Sequence, residues 1–236
     1  MKVGIMQPYI FPYIGYWQLI NAVDRFVILD DVNYIVRGYI NRNSILLNGK
    51  PYRFTIPIKK ASQNKLIMDT ELNFSKDDRK KFLSTIQNAY KKAKFYEIVM
   101  PLIEEIINYP EDDLTTFTHF SIKKIMEYLN IQTDILVSSK IDKNQELRAE
   151  SRILEICKKI GADTYINSSG GRNLYHQEVF GKEDIKLLFL DPTMDEIRYN
   201  QNQQEFVDYL SIVDVLMFND KSKIREFMGA YNLNEK

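Results

Sequence analysis

Short apolar runs separated by longer amphipathic stretches are the dominant pattern of this sequence. Runs of this kind predict strands that are covered on both faces, because a half-exposed strand would alternate apolar and polar positions. In the second half of the chain, predicted strands alternate with amphipathic stretches that are long enough to form crossover helices. We therefore predict an α/β fold with a parallel-type sheet and flanking helices. The predicted strands are Val3 to Met6, Phe26 to Leu29, Ile135 to Val137, Thr164 to Ile166 and Leu187 to Leu190.

The clearest crossover helix is predicted at Gln145 to Ile160, where apolar residues recur on one face. Gly161 follows and suits the left-handed residue that ends many helices. Cys157 lies on the apolar face, so we interpret it as a core residue rather than a reactive thiol.

Residues 75–130 predict a mainly helical insertion in this alternating pattern. Ser75 and Asp78 have the spacing of a capped helix start, so a helix should begin near Lys76. Helical patterning is predicted to resume past Pro101, first in Leu102 to Tyr109 and then in Leu114 to Leu129.

A β-hairpin is predicted over Ile45 to Ile58, because Asn48 and Gly49 supply the positive φ angles of a tight turn. We expect its strands to extend or flank the main sheet. The length of 236 residues suits one α/β domain spanning 1–236 that carries the helical insertion.

Composition narrows the classes of function. The 32 Lys and Arg residues balance 32 Asp and Glu residues, which gives no electrostatic reason to expect a nucleic-acid partner. One cysteine excludes a disulfide framework, and two histidines leave little material for a zinc site. His119 lies among Phe117 and Phe120, which is more typical of a packed or capping histidine than of a base. The start of the chain resembles neither a secretory signal nor a spanning helix, so we expect a cytoplasmic protein without membrane insertion.

The loop after the first predicted strand is one candidate for ligand binding, since open parallel sheets bind ligands at that end. Two prolines stiffen the loop, and Gly15 would let an anionic group approach the start of the next helix. The alternative is that the aromatic residues only seal the core beneath a tight turn. The substrate-binding residues predicted here are Gln7, Tyr9, Tyr13, Gly15 and Tyr16.

The stretch after the second predicted strand is rich in Asp, Tyr, Arg and Asn. Carboxylates at the end of a buried strand are placed to meet Mg²⁺, a ribose or a reacting amine, and arginines suit phosphate or carboxylate. The alternative is a salt-bridged surface loop. We predict Asp30, Asp31 and Arg42 as catalytic residues, and Arg37, Asn41 and Asn43 as substrate-binding residues.

A Ser- and Gly-rich loop follows the fourth predicted strand and offers the N–H and hydroxyl donors that suit phosphate or sugar. It lacks the lysine of a P-loop and the spacing of a dinucleotide fingerprint. A plain surface turn is the alternative. Its predicted binding residues are Ser168, Ser169, Gly170, Gly171 and Tyr175, and we expect Ser138 and Ser139 to form another edge of the same crevice.

The runs that carry these candidates are similar to the WbqC-like family of bacterial proteins. The matching segments cover most of the chain and read MQPYIFPYIGYWQLI, FVILDDVNYIVRGYINRNSIL, FTIPIKK, INSSGGRNLY and YLSIVDVLMFN. The resemblance implies a cytoplasmic protein of bacterial surface-polysaccharide pathways, including O-antigen synthesis. It does not specify a reaction.

A more distant likeness links the first loop to nucleotidylyltransferases and pantothenate synthetase, in which a His-x-Gly-His motif contacts ATP phosphates. Here the corresponding stretch runs from Tyr13 to Tyr16, with tyrosine in place of both histidines. Tyrosine donates a neutral hydrogen bond but cannot match an imidazolium in stabilising negative charge. The likeness implies a Rossmann-like, nucleotidylyltransferase-like architecture more than a shared mechanism.

These features together predict a transferase-type enzyme that acts on a nucleotide-linked sugar for a surface glycan, with acyl or aminoacyl transfer to an amino sugar as the more specific version. ATP or a nucleotide sugar with Mg²⁺ would be the cofactor, and no metal ligands are identified. A non-catalytic sugar-nucleotide binding or scaffold protein is the alternative. The long amphipathic helices leave a homodimer open.

Overall fold

The computed structural model describes residues 1–236 and contains eight strands and eight α-helices. None of the helices is long and apolar enough to cross a membrane. The strands are β1 (Lys2–Met6), β2 (Arg25–Ile28), β3 (Arg42–Leu47), β4 (Lys50–Thr55), β5 (Asp134–Val137), β6 (Thr164–Ser168), β7 (Lys186–Pro192) and β8 (Tyr231–Asn234). The helices are α1 (Ile14–Ala22), α2 (Lys76–Tyr90), α3 (Tyr96–Ile107), α4 (Leu114–Leu129), α5 (Ala149–Lys159), α6 (Gln177–Gly181), α7 (Ile212–Phe218) and α8 (Lys221–Gly229).

Six strands form one sheet in the order β5-β2-β1-β6-β7-β8. The first five are parallel, whereas β8 runs antiparallel to β7. The α/β prediction is confirmed, and the strand order is consistent with a Rossmann-like fold. Because the five strands are parallel, their carboxyl ends lie along one side of the sheet, which we call the carboxyl edge.

The strand order reverses direction at β1. The chain places β2 and β5 successively on one side of β1, then crosses to place β6 and β7 on the other side. In open α/β sheets, ligands bind outside the carboxyl ends of the strands at such a switch point. The topology therefore predicts a ligand in the crevice between the ends of β1 and β6.

Two hydrophobic clusters cover the sheet. Side chains alternate along β2, so Phe26 and Ile28 join a cluster of 45 buried residues while Val27 joins a second cluster of 12. Cys157 belongs to the smaller cluster, and burial raises the pKa of its thiol to about 12. Its prediction as a core residue is confirmed.

The helical insertion is confirmed as helices α2 to α4. Ser75 and Asp78 form a capping box, in which each backbone N–H donates to the other's side chain over 3.2 Å. The prediction that helical structure resumes only past Pro101 is wrong, since α3 begins at Tyr96 and continues through the proline. Pro101 lacks an N–H for the helix, and the burial of Val99 and Ile103 offsets that loss.

The hairpin of β3 and β4 forms a separate two-stranded sheet rather than extending the main one. Its turn has positive φ at Asn48 (52°) and Gly49 (74°), as predicted. The predicted bounds are displaced by three residues, because the paired strands run from Arg42 to Thr55. The apolar residues after Thr55 leave the ladder where Pro57 supplies no N–H.

A buried carboxylate joins the hairpin, the insertion and the carboxyl-terminal helices. Asp214 of α7 accepts hydrogen bonds from Tyr90 Oη (2.7 Å), Tyr199 Oη (2.7 Å) and Gln201 Nε2 (3.0 Å). Tyr90 in turn accepts a bond from the Leu46 N–H of β3 (3.0 Å). Burial raises the pKa of Asp214, although the three donors oppose the rise.

This raised pKa makes stability depend on pH. The folded chain binds the Asp214 proton more tightly than the unfolded chain, so this stabilisation is complete at acid pH and is lost as pH rises through the folded pKa. Relative to Asp214→Asn, the wild-type free energy of unfolding should fall as pH rises from the ordinary pKa of an aspartate through the raised pKa of Asp214. Urea unfolding at several pH values measures the difference. A difference that grows with pH would contradict this account.

Candidate functional site

The carboxyl edge brings together the loops that carry the predicted site residues. Residues 7–13 follow β1, residues 29–41 follow β2, residues 138–140 follow β5 and residues 169–174 follow β6. The start of the hairpin is tied to the first of these loops, because the Ile10 N–H donates to the Ile40 carbonyl over 3.0 Å. The sheet therefore collects the predicted residues at one edge, and their individual contacts decide what each can do.

The loop after β1 is held in a strained conformation. Phe11 has φ of 44°, which is unusual for a bulky residue. Its carbonyl accepts bonds from Asn43 Nδ2 (2.6 Å) and Ser211 Oγ (2.8 Å), so contacts from two distant segments fix the strain. Tyr16 Oη donates to the Gln7 carbonyl over 3.1 Å. Asn43 and Tyr16 thus shape the loop, and direct substrate contacts for them stay a prediction.

Tyr13 covers the start of α1. A Cβ at Gly15 would lie 2.6 Å from the Tyr13 ring, so glycine gives this ring room to lie against the helix. Tyr13 also packs near Tyr209, with ring centroids 6.3 Å apart. Gly15 therefore accommodates an aromatic side chain, and its expected contact with phosphate stays a prediction.

Two tyrosines and one arginine form a cluster that joins the loop after β1 to the stretch after β2. The Tyr9 and Tyr39 ring centroids are 5.7 Å apart, and Arg42 Cζ lies 5.9 Å from the Tyr39 ring. Arg42 Nε is buried without a hydrogen-bond partner. Burial, together with neighbouring Tyr39 and Tyr13, raises the pKa of Tyr9, and Arg42 opposes this. Tyr9 is therefore a neutral hydroxyl beside a cation with an unused donor.

Two other predicted residues of the second stretch differ in accessibility. Asn41 is buried, accepts from Tyr34 Oη (2.7 Å) and donates to the Ile56 carbonyl (2.7 Å), so its amide is used within the protein. Arg37 is exposed at the tip of the loop with φ of 64°.

Asp31 is the centre of a buried ion pair. Lys143 Nζ lies 2.7 Å from Asp31 Oδ2, Arg152 Nη1 lies 3.4 Å from Oδ1, and Ser138 Oγ donates to Oδ1 over 2.7 Å. Burial alone would raise the pKa of Asp31, but Lys143, Ser138 and Arg152 lower it overall. Arg152 also donates to the Asp31 carbonyl. These contacts favour a positioning role for Asp31.

Asp30 points away from that ion pair. Its carboxylate accepts bonds from the Ser139 N–H (2.9 Å) and Oγ (2.6 Å), which are neutral donors. Burial raises the pKa of Asp30 despite these bonds. Asp30 and Ser139 line a cleft of about 610 Å³, together with Lys140 and His119. We call this cavity the Asp30 cleft.

The loop after β6 is anchored to the end of β7. Arg172 and Asn234 both contact Asp191, and Ser169 also bonds to that carboxylate. A Cβ at Gly171 would collide with Asn167 Nδ2, whereas a Cβ at Gly170 would have nothing within 4 Å. Gly171 thus allows close packing, and Gly170 faces open space.

The remaining predicted residues of this loop are partly used by the fold. Ser168 donates its N–H to Asn167 Oδ1 over 2.8 Å, and Tyr175 is buried against Tyr165 with ring centroids 5.4 Å apart. The two aspartates line different cavities, since Asp31 borders a cleft of about 530 Å³ with Arg148. The linings of these two clefts do not include Arg42 or Gly170.

Three residues of this edge were not predicted as functional. His119 was interpreted as packed, yet it lines the Asp30 cleft. The sequence signal for such a role is that His119 lies near the start of the predicted helix Leu114 to Leu129. Lys143 and Arg152 carry no sequence signal, because only the fold brings them to Asp31.

Comparison with known proteins supplies a family. The model of the WbqC-like protein family matches residues 7–226, which include every loop described above. The chain is 26% identical over 229 residues to "Uncharacterized protein Rv1507c" of Mycobacterium tuberculosis, which covers 96% of this chain and 97% of that protein. No solved structure matches the chain.

The free energy of unfolding of an Asp31 variant tests the positioning role of this residue. Asp31→Asn would leave Lys143 and Arg152 buried without their counter-charge, which typically costs about 3–5 kcal/mol. Asp134→Asn is the matched control, because Asp134 forms an exposed pair with Arg25 over 3.4 Å and should contribute less than about 1 kcal/mol. Urea unfolding measures both. Equal losses for the two variants would contradict the positioning role.

Proposed function

Because the chain belongs to the WbqC-like protein family, we propose that it is a transferase-type enzyme that acts on a nucleotide-linked sugar in surface-polysaccharide (O-antigen) biosynthesis. The more specific form of the proposal is acyl or aminoacyl transfer to an amino sugar. The nucleotide portion binds at the switch point between β1 and β6.

The strand order is the single observation that carries this proposal. The reversal at β1 opens a crevice between the loops after β1 and β6, and nucleotides commonly bind there in open α/β sheets. Gly170 faces open space at this position, so a phosphate can approach its backbone closely. Ser168 adds a hydroxyl group beside it, whereas the Ser169 hydroxyl bonds to Asp191.

Arg42 supports an anionic ligand on the β1 side. Its buried Nε lacks a partner within the protein, and a buried unsatisfied donor needs an explanation. A phosphate or carboxylate would satisfy it with a charge-assisted bond. Tyr9 and Tyr39 offer faces and hydroxyls for a sugar or a base.

Of the two aspartates, we assign the substrate contact to Asp30, because it lines a cleft and has only neutral partners, whereas Lys143 and Arg152 hold Asp31. In the acyl-transfer form, the amine nitrogen of the acceptor bonds to the acyl carbon of an activated acyl donor such as an acyl adenylate. The bond from that carbon to its leaving group breaks, and the proton leaves the amine to a base of the site.

The chain has no group of three or more His, Cys, Asp or Glu side chains arranged to hold a metal, so the residues do not favour a resident metal centre. Mg²⁺ commonly binds through one or two carboxylates together with substrate phosphates.

Replacement of Gly170 by alanine tests the proposed site at the switch point. Gly170→Ala places a methyl group where the ligand would approach, and affinity should fall about ten-fold, or about 1.4 kcal/mol. Calorimetry with nucleoside diphosphate sugars, including UDP-N-acetylglucosamine, and with ATP measures the change.

Gly181→Ala is the matched control, because a Cβ there also has nothing within 4 Å and α6 leads into the opposite end of β7. Its affinity should equal that of the wild type. Absence of heat for every ligand with the wild type, or equal affinities for both variants, would overturn the proposal.

A further inference from the structure

The Asp30 cleft is built from four separate chain segments. Asp30 comes from the end of β2, Asp69 from the 3₁₀ turn at Ile67–Asp69, and Ser139 and Lys140 from the end of β5. The start of α4 contributes the capping residue Asp113 and then Thr115, Thr116 and His119. A cavity of about 610 Å³ is large enough for a small polar molecule.

In this cleft, one buried carboxylate has no counter-charge and one buried hydroxyl has no hydrogen-bond partner. Asp30 is only 2% exposed, and its hydrogen bonds come from the neutral groups of Ser139. Thr115 is 6% exposed, and its Oγ1 has no hydrogen-bond partner. A buried carboxylate without a counter-charge and a buried hydroxyl without a bond are both costly, which indicates a ligand that pairs with them.

The charges of the lining indicate the sign of that ligand. Three aspartates and one lysine line the cleft, so its ionisable side chains carry a net negative charge when they are ionised. A negative, partly buried site favours a cation with several hydrogen-bond donors. A primary ammonium group has three such donors and fits both a carboxylate and a hydroxyl.

We propose that the Asp30 cleft is the acceptor subsite of the transferase, in which Asp30 and Thr115 hold the primary ammonium group of an amino sugar and His119 accepts a proton from it. This rests on the proposed function for the donor. The N–H bond of the ammonium breaks, its electron pair stays on nitrogen, and the proton forms an N–H bond at the imidazole. The neutral amine then bonds to the activated acyl carbon as the bond from that carbon to its leaving group breaks, and the second proton passes from the nitrogen to the Asp30 carboxylate that holds it.

His119 has the protonation state that this step needs. Burial, together with the nearby Lys123, lowers the pKa of His119, so its imidazole is neutral at neutral pH. A neutral imidazole accepts a proton, whereas an imidazolium would repel the ammonium group. The second histidine, His176, is exposed and lies beside Glu150.

The test is nuclear magnetic resonance of the full chain with ¹³C-labelled histidine. With only two histidines, His119→Gln assigns both signals. D-glucosamine should shift the His119 signal saturably and leave His176 unchanged. N-acetylglucosamine, whose nitrogen is uncharged, should have no effect at the same concentration. Equal shifts with both sugars, or no shift with glucosamine, would overturn the proposal.

Two variants test the contacts. Asp30→Asn should weaken the glucosamine effect about ten-fold or more, and Thr115→Val, which keeps the side-chain shape, should weaken it to a smaller extent. Thermal unfolding checks that each variant is folded. If Asp30→Asn does not fold, Thr115→Val alone decides, and wild-type affinity in it would count against the subsite.

The experiments separate failure of the amine site from failure of the proposed nucleotide-sugar donor. A glucosamine shift at His119 without any nucleotide-sugar binding would support the amine site and remove the proposed donor. Nucleotide-sugar binding without the shift would overturn the amine site and leave the donor proposal intact.

Discussion

The buried ion pair between Asp31 and Lys143, with Arg152 beside it, is the interaction on which the candidate site depends. It ties the loop after β2 to the segment after β5 and to helix α5. Arg152 strengthens the junction by donating to the carbonyls of Gln145 and Leu147, both over 2.9 Å. A buried ion pair often adds little net stability, yet its geometry selects one arrangement of the segments that it joins.

This arrangement explains why the two adjacent aspartates, Asp30 and Asp31, have different partners. Side chains alternate along an extended chain, so fixing Asp31 toward Lys143 directs Asp30 to the other side. Ser138 and Ser139 repeat the division, because Ser138 bonds to Asp31 and Ser139 bonds to Asp30. The pair of Asp31 and Ser138 therefore belongs to the buried ion-pair network, and the pair of Asp30 and Ser139 borders the Asp30 cleft.

Much of the fold could be predicted from the sequence because its signals are local. Continuous apolar runs mark the five parallel strands, Asn48-Gly49 marks the hairpin turn, and Ser75 with Asp78 marks the start of α2. The antiparallel strand β8 was not predicted, since its residues are mostly polar and its position depends on β7. The hairpin bounds were displaced because β4 is largely exposed and lacks an apolar run.

The candidate site was less predictable, because residue roles there depend on contacts between distant segments. The position of Asp30 and Asp31 at a strand end could be predicted, but which of them is held in a buried ion pair depends on Lys143, a distant residue in the sequence. Asn43 and Tyr16 have suitable side chains for a ligand, yet their hydrogen bonds hold the loop after β1. His119 has an apolar sequence neighbourhood that hides its place in the Asp30 cleft.

Hydrogen–deuterium exchange with and without nucleoside diphosphate sugars and ATP tests the central claim most directly, which is that ligands bind at the carboxyl edge of the sheet. The account predicts that a bound ligand slows exchange in peptides covering residues 7–13, 29–42 and 168–174, while the amino ends of the same strands are unchanged. Slower exchange confined to the amino ends of the strands or to the outer face of the insertion would contradict it.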